Sequence, residues 1–405
     1  LQLTAVPTLT LDQADAWVSN RSLLLYQQYL YQQKPFLLKI QCEIFSVINF
    51  LATGGVNLLL LKNESDQQQC VYQSHGAAHG YSLKRGQFLG ADDQSSLRWP
   101  DPSRRPVVRI GQRNFAHFIW NELDGLLSLA SQQDSELPVH VVQDHNSVLD
   151  VSRVPGIQRC HHSGLSDSPS VRVGSRLVSN RVRQLVLQQF DLSHSQSPSI
   201  ADQPSAFKLL IGIRGPGKRS IVNEEHFYRR LLRCLSMKYQ NIVVYFDALT
   251  FQNDYKNHHR DILERQSNCQ EIIDRLSVFS DSLGLKHINL NGLYFHDWLG
   301  VASSLNFYVT HQGTMQHKIG WFFPDIPGYC LIGHKNAASI ARWHADQSED
   351  AVAVQCLPEQ FFKIGDLPAN STVERDRICR IRQVHAAVEN LMEVISLQRG
   401  LIPQN

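Results

Sequence analysis

From residue 207 to residue 332 the sequence repeats a single pattern: a short apolar run, a polar loop, then a stretch of helical periodicity. The apolar runs are Phe207–Ile213, Ile242–Phe246, His287–Leu290, Asn306–Thr310 and Tyr329–Ile332. Helical spacing follows from about Glu224, over Gln270–Ser282, over His296–Ser303, and from the loop after His311 to about Phe323. Short, continuously apolar strands alternating with helices predict a parallel sheet buried on both faces, an α/β arrangement. Ligands of such sheets collect outside the carboxyl ends of the strands.

The first half has the same alternation in a looser form. Strands are expected at Phe36–Ile40, Val56–Leu61, Val107–Ile110, Val139–Val142 and Val171–Val178, and helices near Ala14–Tyr31, Asn114–Ala130 and Asn180–Phe190. The apolar stretch from Ile44 to Leu61 reads as a short helix, a Gly54-Gly55 turn and a buried strand. Ser193 to Ser199, with Pro204-Ser205 beyond, is polar, small and proline-marked, as a linker would be. At 405 residues the chain is too long for one ordinary core. The expected domains are therefore 1–200, 205–350 and a tail 351–405, with Val373–Leu397 as a long amphipathic helix crossing back over the molecule. Two facing Rossmann-like domains follow.

Lys+Arg 39 against Asp+Glu 37 leaves a formal charge of +2, poor equipment for nucleic acid, which demands a concentrated basic surface. Polar residues interrupt the Ile44–Leu61 stretch, so no transmembrane segment is expected. The eight cysteines form no CxxC, and no metal site is expected. Sequons at Asn20, Asn63 and Asn370 are a number that chance supplies. A cytoplasmic location, with peripheral membrane contact allowed, is the expectation; the lumen of the secretory pathway is the alternative.

Three segments could carry chemistry. Arg214-Gly215-Pro216-Gly217-Lys218-Arg219 follows an apolar strand and precedes a helix that Asn223 can cap. Arg214, Lys218 and Arg219 on a glycine-bearing loop could wrap a diphosphate, or could be a solvated basic turn. The loop lacks the GxxxxGK[ST] pattern, so ATP hydrolysis is not implied. His311-Gln312-Gly313-Thr314 with His317-Lys318 joins the next conspicuous strand to a helix. Gly313 allows backbone to approach a ligand, Thr314 can cap, and His311, His317 and Lys318 add donors for an anion at the helix start. In the third segment, Asn114, His117, Asn121 and Asp124 share one polar stripe at helical spacing. His117 suits a general base, with Asp124 or Glu122 second, and Asn114 and Asn121 as acceptor-side groups. Glu122 falls among Phe115 and Phe118, on the side that should be buried, where a carboxylate must be paired, protonated or functional. An ion pair with Arg109 or Arg113 is the structural alternative.

Taken together and in order, Asn114-x-x-His117-x-x-x-x-Glu122-Leu123, Arg214…Arg219-Ser220-Ile221-Val222-Asn223-Glu224 and His311-Gln312-Gly313-Thr314 resemble the glycosyltransferase family of the plant xylan arabinosyl- and xylosyltransferases and the EGF-domain O-GlcNAc transferase. The likeness spans about half the chain. It departs from the family where His-Gln-Gly-Thr stands for His-Gly-Ala-Gly and where His296-Asp297-Trp298 stands for a Glu-Gln pair.

The resemblance implies a GT-B fold and metal-independent transfer from a nucleotide-sugar donor held by the second domain. No cofactor is implied; the partners would be the donor and a glycan, glycolipid or protein acceptor. A nucleotide-sugar epimerase on the same fold and a non-catalytic carbohydrate- or partner-binding protein are the competing expectations.

Overall fold

The computed structural model describes residues 8–14, 36–53, 56–74, 86–91, 107–111, 115–132, 138–143, 149–159, 170–173, 177–189, 206–251, 260–333, 336–367, 377–398 and 401–404. The chain divides into two compact units, Leu1–Leu185 and Val186–Asn405. The expected linker and most of the expected helix Ala14–Tyr31 lie outside the described residues.

The first unit holds two sheets. One runs in chain order through β1 (Leu9–Thr10), β2 (Phe36–Ile40), β3 (Glu43–Thr53), β4 (Val56–Asn63), β5 (Gln69–Ser74) and β6 (Gln87–Phe88). It is antiparallel except for the β1–β2 pair. The short helix expected after Ile44 is instead β3, paired on both sides. Its Phe45 and Val47 join Phe36, Leu38, Leu59 and Leu61 in one apolar layer, while Ile48, beyond a register shift, packs with the other. The leucine run of β4 is explained by the same pleat. Leu59 and Leu61 face the first layer, and Leu58 and Leu60 face Val71 on the opposite side. Asn63 is 7% exposed, donates to Glu43 Oε2 at 3.0 Å and accepts from Ser65, so this sequon lies folded into the hairpin.

The second sheet of this unit is parallel: β7 (Val107–Ile110), β8 (Val139–Gln143), β9 (Ile157–Arg159) and β10 (Ser170–Arg172), in the order β10-β7-β8-β9. After β7 come α1 (Phe115–His117), a π-helical segment Phe118–Leu123 and α2 (Asp124–Gln132); α3 (Asn180–Gln189) follows β10.

The second unit is the α/β sheet that the repeated pattern predicts. Its strands are β11 (Phe207–Gly212), β13 (Ile242–Asp247), β14 (Lys286–Asn289), β15 (Phe307–His311), β16 (Gly328–Leu331) and β17 (Gln355–Cys356), with β12 (Tyr239–Gln240) outside the sheet. Every pair is parallel, in the order β14-β13-β11-β15-β16-β17. Counted along the sheet strands, that is 3-2-1-4-5-6, the doubly wound Rossmann order. The four-stranded sheet of the first unit reads 3-2-1-4 by the same count. Helices α4 (Glu224–Lys238), α5 (Arg260–Ser282), α6 (Phe295–Ala302) and α7 (Thr314–Phe322) connect the strands. After β16 come α8 (Ala337–Ala341) and α9 (Trp343–Asp346). The core strands are sealed on both faces: Leu209, Leu210 and Ile211 are all 0% exposed.

The tail is part of this unit. Its helix is shorter than expected: the strand β19 (Cys379–Ile381), paired with β18 (Phe362–Ile364), occupies the stretch before α10 (Val384–Ser396). Ala387, Val388, Leu391, Met392 and Ile395 of α10 share one core with Phe227, Leu231 and Leu235 of α4. Each of the larger of these buried side chains, Val, Leu, Ile, Met or Phe, contributes roughly 1.5–3 kcal/mol. The tail thus forms a wall of the second unit's own core, with α10 packed on α4.

Candidate functional site

In a 3-2-1-4-5-6 sheet the chain turns away in opposite directions after strands 1 and 4, which opens a crevice at their carboxyl ends. Here those strands are β11 and β15, and their loops are two of the three segments singled out in the sequence. The structure brings them together. Arg214 Nη1 donates to Gln312 O at 3.3 Å, and its Nε and Nη2 donate to Lys218 O at 3.1 and 2.9 Å. One guanidinium thereby ties the β11 loop to the β15 loop. A Cβ built on Gly313 would lie 3.6 Å from Arg219 Nη1 and 3.8 Å from Arg214 Nη1, so both forks flank the start of α7.

The backbone here is wound tightly. Gly215, Gly217, Arg219 and Gly313 have φ of 65°, 121°, 63° and 115°. Three of the four are glycines, the residue for which positive φ carries no steric penalty. At Gly215 a side chain is also excluded by Cys269 Sγ, 2.9 Å from where a Cβ would stand. Burial pushes the Cys269 thiol up to about 11 and the Cys379 thiol, beneath Ser220, up to about 12, so both serve as packing rather than as nucleophiles.

The inner side of the β11 loop is held by Glu224, the first residue of α4 and 3% exposed. Its Oε1 accepts the Arg214 N–H at 2.8 Å, its Oε2 accepts the Gly215 N–H at 3.1 Å, and His311 Nε2 stands 2.6 Å from Oε1. Tyr228 Oη donates to Gly212 O and sits 3.4 Å from His311 Nε2. Burial first, then the charge of Glu224, raises the Tyr228 phenol well above its usual range, so it remains a neutral donor. The amides that a dinucleotide-type glycine loop would offer to phosphate are filled by the protein's own carboxylate. An anion from outside would meet the other side of the crevice: the start of α7, whose cap residue Gly313 brings no side chain to it, and the cations of the β11 loop. Lys218 is exposed there, and Arg214 and Arg219 are half-buried.

Several residues fill places other than those expected. Asn223 does not cap α4 with its side chain; it donates to Ile381 O and accepts from Ile381 N–H, both at 2.9 Å, fastening β19 beneath the loop. Gly313, not Thr314, holds the cap position of α7, and Thr314 is its exposed first residue. His317 stacks on Trp321 with centroids 4.6 Å apart. Lys318 turns away from the loop into the interior, where Nζ donates to Asp247 Oδ2 at 3.0 Å and lies 3.7 Å from the Trp298 ring centroid. Trp298 Nε1 donates to the same Asp247 oxygen at 2.9 Å. Burial holds the Lys318 amine below its ordinary value, with Asp247 opposing that shift.

In the first unit, His117 Nδ1 pairs with Asn121 Oδ1 at 2.9 Å. His117, Asn121 and Asp124 are half-buried on the expected polar stripe, and Asn114 lies outside the described residues. The turn between His117 and Asp124 is π-helical, a feature frequent at functional sites. Glu122 is buried, and its Oε2 accepts the N–H of Gly111, just past β7, at 2.8 Å. Glu122 on Gly111 repeats in this unit what Glu224 does on Arg214 and Gly215 in the other.

The sequence reading passed over Glu224 as a site residue, yet a signal for it existed. Glu224, Phe227, Tyr228 and Leu231 stand at i, i+3, i+4 and i+7, which places a carboxylate on the buried face of α4. Among the described residues, no three His, Cys, Asp or Glu side chains gather as a metal site, and no helix is long and apolar enough to cross a membrane.

No protein-family model matches the chain, and no curated protein matches it in sequence. Among solved structures, a likeness is found to a variant of S. aureus TarM in complex with fondaparinux, alpha-GlcNAc-glycerol and UDP. It is 9% identical, covers 95% of this chain and 78% of that one, and has a TM-score of 0.21. A superposition that loose transfers no activity. The fold rests on the chain's own strand order.

Proposed function

We propose that this chain is a metal-independent glycosyltransferase of GT-B type that takes a nucleotide-sugar donor at the β11–β15 switch point of its second unit. The observation that carries the reading is the meeting of Arg214, Arg219 and the glycine-opened start of α7 at that crevice. Such a set suits the diphosphate of a departing nucleotide. Fixed cations and helix-start amides stabilise charge as it develops, and do so without reorganising. The roles proposed for this site are phosphate contact for Arg214, Lys218 and Arg219, and amide contact for Gly313 and Thr314. Lys318, His311 and Asn223 are reassigned to holding the site together, and His317 to packing on Trp321.

The acceptor, a glycan, glycolipid or protein hydroxyl, is assigned to the first unit. There His117, set by Asn121, draws the proton from the attacking hydroxyl, with Asp124 in support. Glu122 is assigned to holding Gly111 instead of to proton transfer. The resemblance of the three segments, in the same order along the chain, to the xylan glycosyltransferase family favours the same assignment.

The test is a melting-temperature and calorimetry screen of UDP, GDP, CMP, dTDP and their sugars. A ligand at 100 times its Kd adds about 2.7 kcal/mol of stability, a shift that the melting curve registers. One nucleotide class should bind, and Arg214→Ala should weaken it. If no nucleotide or nucleotide sugar raises the melting temperature, the proposal fails.

A further inference from the structure

The carboxylate of Glu224, like the Arg214 guanidinium, touches both loops of the crevice. It takes the Arg214 and Gly215 amides of the β11 loop and, through Oε1, the imidazole at the end of β15. A negative charge buried beside an anion site is unfavourable on its face, since like charges repel most strongly where water is excluded. Its presence there calls for a compensating role. We propose that Glu224 is the positioning residue of this site. Through His311 and the two amides it sets the spacing between the β11 loop and the start of α7, so that the guanidinium forks and the α7 amides fit one diphosphate. The inference rests on the nucleotide-site reading above.

Two further features favour this role over simple core packing. Glu224 binds the loop at Gly215, where φ is 65° and Cys269 leaves no room for a side chain, so the amides it holds belong to the tightest part of the turn. The first unit repeats the device at its own switch point, with Glu122 holding Gly111, whose φ is 108°. In both sheets a buried glutamate from the helix after strand 1 fixes a positive-φ glycine just past that strand.

The test compares wild type, Glu224→Gln, Arg214→Ala and the double variant, with Glu224→Asp as a second probe should the glutamine variant fold poorly. Inorganic pyrophosphate and the nucleotide diphosphate found in the screen are titrated by calorimetry, well below each variant's melting temperature. Glu224→Gln is expected to weaken both ligands tenfold or more. The loss should be much smaller in the Arg214→Ala background, because Glu224 acts through the loop that carries Arg214. Equal losses in both backgrounds, or unchanged affinity in a folded variant, would overturn the role.

Hydrogen exchange without ligand separates this inference from the function it rests on. Glu224→Gln should speed exchange in 214–219 and in 311–316 together; loosening of the first stretch alone overturns the clasp. Wild type that binds no diphosphate, with both stretches loosened in the variant, rejects the nucleotide site and the positioning role while leaving the two-loop clasp as a structural fact.

Discussion

Lys318 Nζ lies 3.0 Å from Asp247 Oδ2, with 5% and 0% of the two side chains exposed. Desolvation lowers the lysine more than the aspartate restores it. In unfolded chain a lysine titrates near about 10.4, so between the lowered folded value and that point the unfolded state holds more protons. Stability from this group is therefore lowest below the folded value and grows as pH climbs through the window. The reference is Lys318→Met combined with Asp247→Asn, which removes both charges and keeps an acceptor for Trp298. Urea midpoints from neutral pH to pH 10 should show wild type gaining on that variant as pH rises. Parallel curves would mean that the amine titrates in the folded protein as it does in the unfolded chain.

The parallel sheet of the second unit was legible because its central strands β11, β13, β15 and β16 are buried on both faces, so their apolar runs are nearly unbroken and leave no competing period. The β11 and β15 loops followed, since a strand's carboxyl end can be located once the strand is. The stretch from Ile44 was misread because an apolar-rich run with scattered polar residues serves a helix or a two-sided strand equally well until its partners are known. Pairing with β2 and β4 decided it. Contacts between distant residues left no local trace. Asn223 reads as a helix cap until Ile381, 158 residues on, arrives as its partner. Lys318 reads as a loop cation until the fold supplies Asp247, 71 residues away.

The Asn223 side chain makes a two-bond bracket with the Ile381 backbone. At about 0.5–1.5 kcal/mol net per bond, Asn223→Ala should destabilise the protein by about 1–3 kcal/mol. Because the bracket joins the loop to β19, amide exchange should rise first at Cys379–Ile381. Urea denaturation measures the loss, and exchange by mass spectrometry locates it. A variant with wild-type exchange in β19 would show that the backbone ladder between Ser220, Val222 and Cys379 holds the strand unaided.

Gly313 has φ 115° and ψ −145°, a region that side-chain-bearing residues avoid. Gly313→Ala would meet no severe clash, since the nearest atoms lie at 3.6 Å, but the backbone would be strained by about 1–3 kcal/mol. Relief comes by rotating the residue that begins α7, which turns the first amides of the helix. Nucleotide affinity should fall about tenfold or more, with a melting temperature lowered by only a few degrees. Calorimetry on the folded variant checks it. Undiminished affinity would place the ligand away from the α7 start.

His117 offers the sharpest division of labour between the two units. Its Nδ1 is engaged by Asn121 Oδ1, a pairing that fixes the ring and directs Nε2 as the proton acceptor when Nδ1 carries the hydrogen. General-base loss costs about 10²- to 10⁴-fold in rate, so on the proposed assignment His117→Ala should cut turnover by that factor while donor affinity stays at the wild-type value, because the phosphate contacts are proposed for residues of the other unit. Asn121→Ala should give a smaller loss of the same kind, since it disturbs the orientation of the ring and leaves the base in place. Single-turnover rates set beside calorimetric affinities separate the two effects. Wild-type turnover in His117→Ala would move the proton acceptor elsewhere, whereas a parallel fall in donor affinity would show that the histidine serves the architecture and not the chemistry.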